Sequence, residues 1–252
     1  MCKRFYIFVF IVLSLASCSK EETVRDITVQ FNATVSPEIL TKGEGTKADN
    51  AEDVIADHAV LQAWLGDALV VNVEKDNIVL EDNQIDFGAI RLVGGVDYDV
   101  YIWVDSKGYY KTDDLRNVRL NTEKSYNGKT PEFDAFYAYT PVNYRQDNEV
   151  HNVTLKRPFA KVSFSATVTK NVHISFTAPT SLNLKTSKVS GSMDVGYDVE
   201  HGDSGIETFD YIFADEGVSQ LDYTFKLGEE EEKTTTIPVS RNTKTNVIYT
   251  GY

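Results

Sequence analysis

The residues with the most chemical potential lie at His201-Gly202-Asp203-Ser204-Gly205. The Gly-Asp-Ser-Gly core looks like the nucleophile loop of a chymotrypsin-type protease. A serine triad needs a histidine base, a buried acid and an oxyanion hole brought together. No Ala-His-Cys segment lies upstream, and Ile206-Glu207 follow where a further glycine and proline would stand. Gly-Asp-Ser-Gly is ordinary turn composition, so a turn is expected here and no catalytic residue is assigned. The four histidines, His58, His151, His173 and His201, are scattered without His-Glu-x-x-His spacing, which argues against a zinc hydrolase. His173 alternates with inward residues and is expected on a solvent face. Glu229 to Glu232 are four consecutive acids; they point in different directions, form no cage for a hard cation, and read as a solvated hairpin tip. The cysteines are Cys2 and Cys18. If both are committed to an N-terminal leader and its processing, thiol catalysis, cysteine zinc sites and disulfides are all excluded. The expectation is therefore a non-enzyme without metal or cofactor.

Aromatic side chains offer a different chemistry. Trp64, Trp103, Tyr109, Tyr110, Tyr137, Tyr139 and Tyr144 are numerous enough to form a platform for sugar rings. The competing reading is core packing, which is preferred for Trp103 in a strand with apolar residues on both faces.

The elements that would position these groups are strands. Ile27 to Val35 alternates cleanly, with Ile27, Val29, Phe31, Ala33 and Val35 on one face. Thr41 to Asp53 is polar and reads as a loop, and Val54 to Val73 is ambiguous between helix and strand. Ile85 to Val93, a Gly94-Gly95 turn and Asp97 to Asp105 follow as strand, turn and strand. Tyr109 and Tyr110 are expected in a loop. Val153 to Val168 holds two alternating segments broken by Pro158, which cannot donate to a ladder. Further alternating runs lie at Val172 to Ala178, Leu221 to Leu227, Thr234 to Val239 and Thr245 to Tyr249. Many short strands with no long amphipathic helix mean an all-β sandwich architecture. Arg157 and Lys161 fall on the polar side of this pattern and are expected to face solvent.

At the N-terminus, Lys3 and Arg4 precede an apolar run, Phe5 to Leu13, too short to cross a bilayer comfortably. Leu15-Ala16-Ser17-Cys18 then resembles a bacterial lipobox, which implies cleavage before Cys18 and its acylation. Residues 1–17 are read as a signal peptide and 18–26 as a tether. The formal charge of −13 becomes two units more negative without Lys3 and Arg4. Such a chain repels nucleic acid and anionic lipid head groups, so nucleic-acid binding is discarded and membrane attachment must come from covalent lipid. With 42% hydrophobic and 12% aromatic residues it is a folded chain and not a disordered stalk.

Three pieces together carry a resemblance: the lipobox followed by Ser19-Lys20-Glu21-Glu22, which is similar to the export signal of Bacteroidetes surface lipoproteins; Val153-Thr154-Leu155-x-Arg157-x-x-Ala160-Lys161-Val162; and Ile237-Pro-Val-x-Arg241-Asn242 running to Val247. The whole resembles the fimbrillin-like lipoproteins of Bacteroides and its relatives. The resemblance implies two tandem transthyretin-like, Greek-key β-sandwich domains, here 27–157 and 158–252. It also implies a lipid-anchored outer-membrane location exposed at the cell surface, in fimbriae or their accessory parts. Its implied partners are other fimbrial subunits or a second copy, through strand exchange. In such exchange an N-terminal strand is released by cleavage after an arginine and a neighbour's strand takes its place. Ile27, Val29, Phe31, Ala33 and Val35 are the candidate exchanged or removable strand. The chain departs from the pattern in having no arginine between Arg25 and Arg91, and its last strand ends close to Tyr252, leaving no evident C-terminal donor. An unprocessed anchor or accessory subunit is therefore expected, with a glycan-binding surface lipoprotein, meeting host or dietary glycans, as the alternative.

Overall fold

The computed structural model describes residues 25–36, 40–41, 55–146 and 148–250. Cys18, residues 42–53 of the expected loop, and Val54 lie outside them. The first sheet is built on β1 (Asp26–Val35), which runs antiparallel to β5 (Gln84–Val93) and parallel to β10 (Glu149–Leu155), in the order β10-β1-β5. Its partner sheet has the order β4-β3-β6-β9: β4 (Ala68–Asp76), β3 (His58–Leu65), β6 (Asp97–Asp105) and β9 (Ala135–Asn143). The inward residues of both sheets, among them Val29, Phe31, Leu61, Val100, Ile102 and Phe136, close over one hydrophobic cluster. The stretch at 54–73 that was ambiguous in sequence is thus a hairpin of two strands around Gly66-Asp67.

The second half repeats the arrangement. One sheet has the order β16-β11-β19-β2, from β16 (Ile206–Phe213), β11 (Phe159–Ala166), β19 (Thr243–Tyr249) and the short β2 (Leu40–Thr41). The other is β15-β12-β17-β18, from β15 (Met193–Val199), β12 (Val172–Ala178), β17 (Ser219–Leu227) and β18 (Lys233–Val239). Val162, Phe164, Ile174, Tyr223 and Phe225 lie in the cluster between them. The all-β expectation holds; the α-helix left open for 54–73 is absent, and among the described residues the helical element is a single 3-10 turn, Pro131–Phe133.

A fifth sheet crosses from one half to the other. Its order is β14-β13-β8-β7, with β14 (Lys188–Ser190) and β13 (Ser181–Asn183) from the second half and β8 (Asn117–Leu120) and β7 (Tyr110–Lys111) from the first. Beneath it lies a third cluster that mixes Trp103, Tyr110 and Phe133 with Phe159, Tyr211 and Phe213. Trp103 and Tyr110 meet edge to face at 5.1 Å, and Phe159 stacks on Phe213 at 5.1 Å. Tyr110 is therefore no loop residue: it opens β7, is buried, and donates its hydroxyl to the Phe133 carbonyl at 2.6 Å.

Pro158 breaks the central stretch as expected, between the end of β10 and the start of β11. Arg157 and Lys161 are not on solvent faces, however. They are 1% and 6% exposed. Arg157 is packed against Asp134 and Phe136, and Lys161 against the Phe209 and Tyr211 rings, contacts from other strands that alternation within one strand cannot reveal.

Candidate functional site

β1 is deeply seated in the first half. Its five inward residues, Ile27, Val29, Phe31, Ala33 and Val35, are all at most 2% exposed. It is central in its sheet, so both edges of its backbone are engaged, over Val29–Val35 with β10 and Asp26–Thr34 with β5. The β5 pairing carries a bulge between Phe31 and Asn32, opposite Gly88, whose φ of +81° a side chain would resist. Phe31 packs edge to face on Tyr144 at 5.9 Å. A strand held on both edges over such a row of apolar residues leaves, if withdrawn, a groove shaped for another strand.

The two sequence motifs converge where the halves meet. The Arg157 Nε donates to Asp134 Oδ1 at 2.8 Å and Oδ2 at 3.0 Å, and its Nη2 donates to Oδ2 at 2.7 Å. Both side chains are buried, with the guanidinium over the Phe136 ring at 4.7 Å. Lys161 lies with its ammonium 4.3 Å from the Phe209 ring centre. Arg241 donates to the Tyr137 hydroxyl, to the Ser187 carbonyl at 2.8 Å and to the Ala214 carbonyl at 3.1 Å. The neighbouring Asn242 N–H donates to the Phe159 carbonyl at 2.7 Å. Arg241 thus ties the second half to Tyr137 of the first, while Arg157 and Lys161 are each held by residues of their own half on either side of Pro158. The sequence pattern pointed to them, but for a solvent face.

The rejected chemistry stays unassembled. His201 and Ser204 are exposed, Gly202 and Gly205 form an isolated bridge that closes a turn, and His201 bonds Asn171. The other three histidines are engaged elsewhere: His58 with Asp105, His173 with Asp198, and His151 against the Phe31 and Tyr144 rings. His173 is half-exposed, as its alternation implied. At the acidic tip, Glu230 pairs with Lys170 at 2.7 Å and Lys233 at 3.6 Å, and the Lys170 bond draws its carboxyl below the ordinary range.

The aromatic platform fails in the form expected. Trp64, Trp103, Tyr110, Tyr137 and Tyr144 are all buried, because these rings fill the clusters of the first half and of the joint. Tyr109 and Tyr139 remain half-exposed. Tyr139 stands in a groove of about 380 Å³ between β9, β10 and the loop at 184–187. Its hydroxyl donates to Asp99 Oδ1 at 2.8 Å, and Lys185 meets Asp99 Oδ2 at 2.5 Å. Burial would raise the Asp99 carboxyl, but these two donors outweigh it and hold it below its ordinary value. Asp99 also lines a second groove of about 420 Å³ with Asp67, Arg116, Asn117 and Asn183.

Two buried titratable sets escaped sequence reasoning. His58 Nδ1 lies 2.6 Å from Asp105 Oδ1, and its Nε2 lies 3.2 Å from Glu74 Oε1. Burial alone would lower the imidazole, but Asp105 and Glu74 prevail and hold it above its ordinary value. Asp210 is 3% exposed; its Oδ2 accepts from Tyr197 at 2.7 Å and Tyr223 at 3.3 Å, while Oδ1 has no partner. Burial pushes its carboxyl up to about 7 against the pull of both hydroxyls. Each set joins residues from different strands, so no local signal in the chain betrays it.

A profile of a family of unknown function, DUF6562, matches residues 20–249. No curated protein matches the sequence. The fold is similar to that of a candidate adhesin from Bacteroides ovatus, at 11% identity and a TM-score of 0.57, covering 92% of this chain and 90% of that one. It is also similar to candidate polysaccharide-binding proteins from Bacteroides thetaiotaomicron, at 8% identity and a TM-score of 0.56, covering 82% and 78%. The fimbrial anchor protein Mfa2 from Porphyromonas gingivalis aligns at 13% identity and a TM-score of 0.53, covering 79% and 78%. The resemblance read from the lipobox and the two strand motifs is borne out at the level of fold.

Proposed function

The chain belongs to the family DUF6562, and we propose that it is a lipid-anchored, surface-exposed structural or adhesive protein of fimbrial type, without catalytic activity. In this reading it is built as two sandwich domains divided at Pro158, acylated at Cys18, and held at the outer membrane. The observation that carries it is the seat of β1: a central strand with five buried apolar side chains, directly behind the tether. The likeness in fold to a fimbrial anchor and to candidate adhesins supports it. Partners would be fimbrial subunits or a second copy. The absence of arginine between Arg25 and Arg91 favours an anchor or accessory role in which β1 stays in place. Among the described residues no helix is long and apolar enough to cross a membrane, consistent with attachment by lipid. Substituting Cys18→Ser is expected to release the protein from the membrane fraction, while the native protein co-purifies with fimbrial subunits. Membrane retention of the variant would refute the anchor, and a solitary monomer in surface extracts would refute the fimbrial role.

Glycan contact is a second reading, favoured by the groove around Tyr139, where one accessible ring stands beside hydrogen-bonding side chains. It predicts binding on a glycan array that Tyr139→Ala abolishes; no binding, or binding unaffected by the change, would remove it.

A further inference from the structure

The pairing of β3 with β4 and β6 assembles a set of ligating atoms that no spacing in the sequence displays. His58 on β3 lies directly opposite Asp76 on β4, and Glu74 lies opposite Val60, two residues along, so all three side chains share a face. On its other side His58 lies opposite Asp105 of β6. One ligand atom from each of His58, Glu74 and Asp76 falls within 4.8 Å of the other two. Only Nε2 of the imidazole faces the carboxylates, because Nδ1 is taken by Asp105 at 2.6 Å. His58 is 3% exposed and Asp105 is fully buried. A buried carboxylate that fixes one imidazole nitrogen while the other faces open ligands is the support that metal-binding histidines use. The side chains of Glu74 and Asp76, at 50% and 43% exposure, have the freedom to close on an ion.

A cation already sits among these oxygens. The Lys107 ammonium lies 2.5 Å from Asp76 Oδ2 and 3.7 Å from Glu74 Oε1. It arrives from the turn after β6 on a half-exposed, flexible side chain that can swing away. We propose that His58 Nε2, Glu74 and Asp76 form a three-ligand site for a first-row divalent metal ion of the zinc type, which binds by displacing Lys107. One nitrogen and two carboxylates suit zinc, whose four-coordinate shell leaves a position toward solvent for water or a group from another molecule. Calcium, which asks for six to eight oxygens, is poorly served. The proposal stands apart from the fimbrial reading and neither needs nor supports it. It revises the expectation of no metal, which rested on spacing along the chain.

The experiment is calorimetric titration of the purified full-length chain, held in detergent, with zinc chloride and, separately, calcium chloride. Zinc is expected to bind one to one and calcium to give no saturable heat. Glu74→Gln and Asp76→Asn, both at exposed positions that leave the core untouched, are each expected to weaken zinc binding at least about tenfold. Lys107→Gln is expected to strengthen it, since the competing ammonium is gone. An ion-pair network with no metal role predicts the opposite for Lys107→Gln: lower thermal stability and no gain in zinc affinity. Absence of saturable zinc binding, or binding that Glu74→Gln and Asp76→Asn leave unchanged, overturns the proposal.

Discussion

Replacing Arg157 with Ala is expected to destabilise the protein by about 3–5 kcal/mol, the cost of stranding one partner of a buried ion pair. The reason is the depth of the pair. Arg157 is 1% exposed and reaches Asp134 through three charge-assisted hydrogen bonds. Once the guanidinium is gone, the Asp134 carboxylate stays buried beside Phe136 and Phe133 with its strongest donors removed. Asp134→Ala is expected to cost a similar amount, since it strands the guanidinium instead. For a chain of this size the loss lowers the melting temperature by about 10 °C. A surface ion pair such as Lys185–Asp99, with half its lysine in solvent, is worth at most about 1 kcal/mol and serves as the contrast. Because Arg157 stands at the break between β10 and β11, the damage should appear first where the halves join. Hydrogen exchange near Phe159 and Phe213 is expected to accelerate before exchange in β1. A melting temperature within a degree or two of wild type in both Ala variants would show that the joint does not depend on this pair.

Asp210 makes the second large prediction, and its sign follows from linkage. The folded carboxyl titrates near 7, against an ordinary value of 3.8 in the unfolded chain. Between those two values the folded state keeps a proton that the unfolded state has released. Its contribution to stability therefore falls as pH rises from about 4 to about 7, and is level outside that window. At about 1.4 kcal/mol per pH unit the loss reaches up to about 4 kcal/mol. Asp210→Asn cannot ionise, keeps an oxygen for the Tyr197 and Tyr223 hydroxyls, and should flatten this part of the profile. Urea unfolding of both proteins at intervals from pH 4.5 to 8 measures it. The variant is expected to gain on wild type steadily as pH rises. Parallel profiles would mean that Asp210 titrates at an ordinary value, with water reaching its Oδ1.

Both predictions concern residues whose importance was only partly legible in the chain. Period-2 alternation found β1, β5, β12 and β17 because each has one face on a core and one toward solvent, whereas β6 stood out as a strand with apolar residues on both faces and is buried on both. The same logic misassigned Arg157 and Lys161. A polar side chain opposite an apolar row reads as solvent-facing unless a second layer covers it, and here the aromatic cluster of the joint does so. Trp64, Tyr137 and Tyr144 looked available to sugars for a related reason: exposure is decided by which sheet lies opposite. The motifs containing Arg157 and Arg241 were visible as patterns, yet their convergence depends on β9, β11 and β19 meeting across more than a hundred residues. His58 with Glu74, Asp76 and Asp105 is set by strand register, and so is the Asp210 cluster. β1 was the exception, since its five inward residues announced both the strand and its burial.

We propose that the protein stands at the cell surface on lipid at Cys18 with β1 retained. The direct measurement is intact-mass and N-terminal peptide analysis of the protein recovered from the surface of intact cells. The account predicts a chain beginning at an acylated Cys18 and containing Ile27 to Val35 without a break. A chain beginning beyond Val35 would contradict it and make this protein a processed, strand-exchanging subunit.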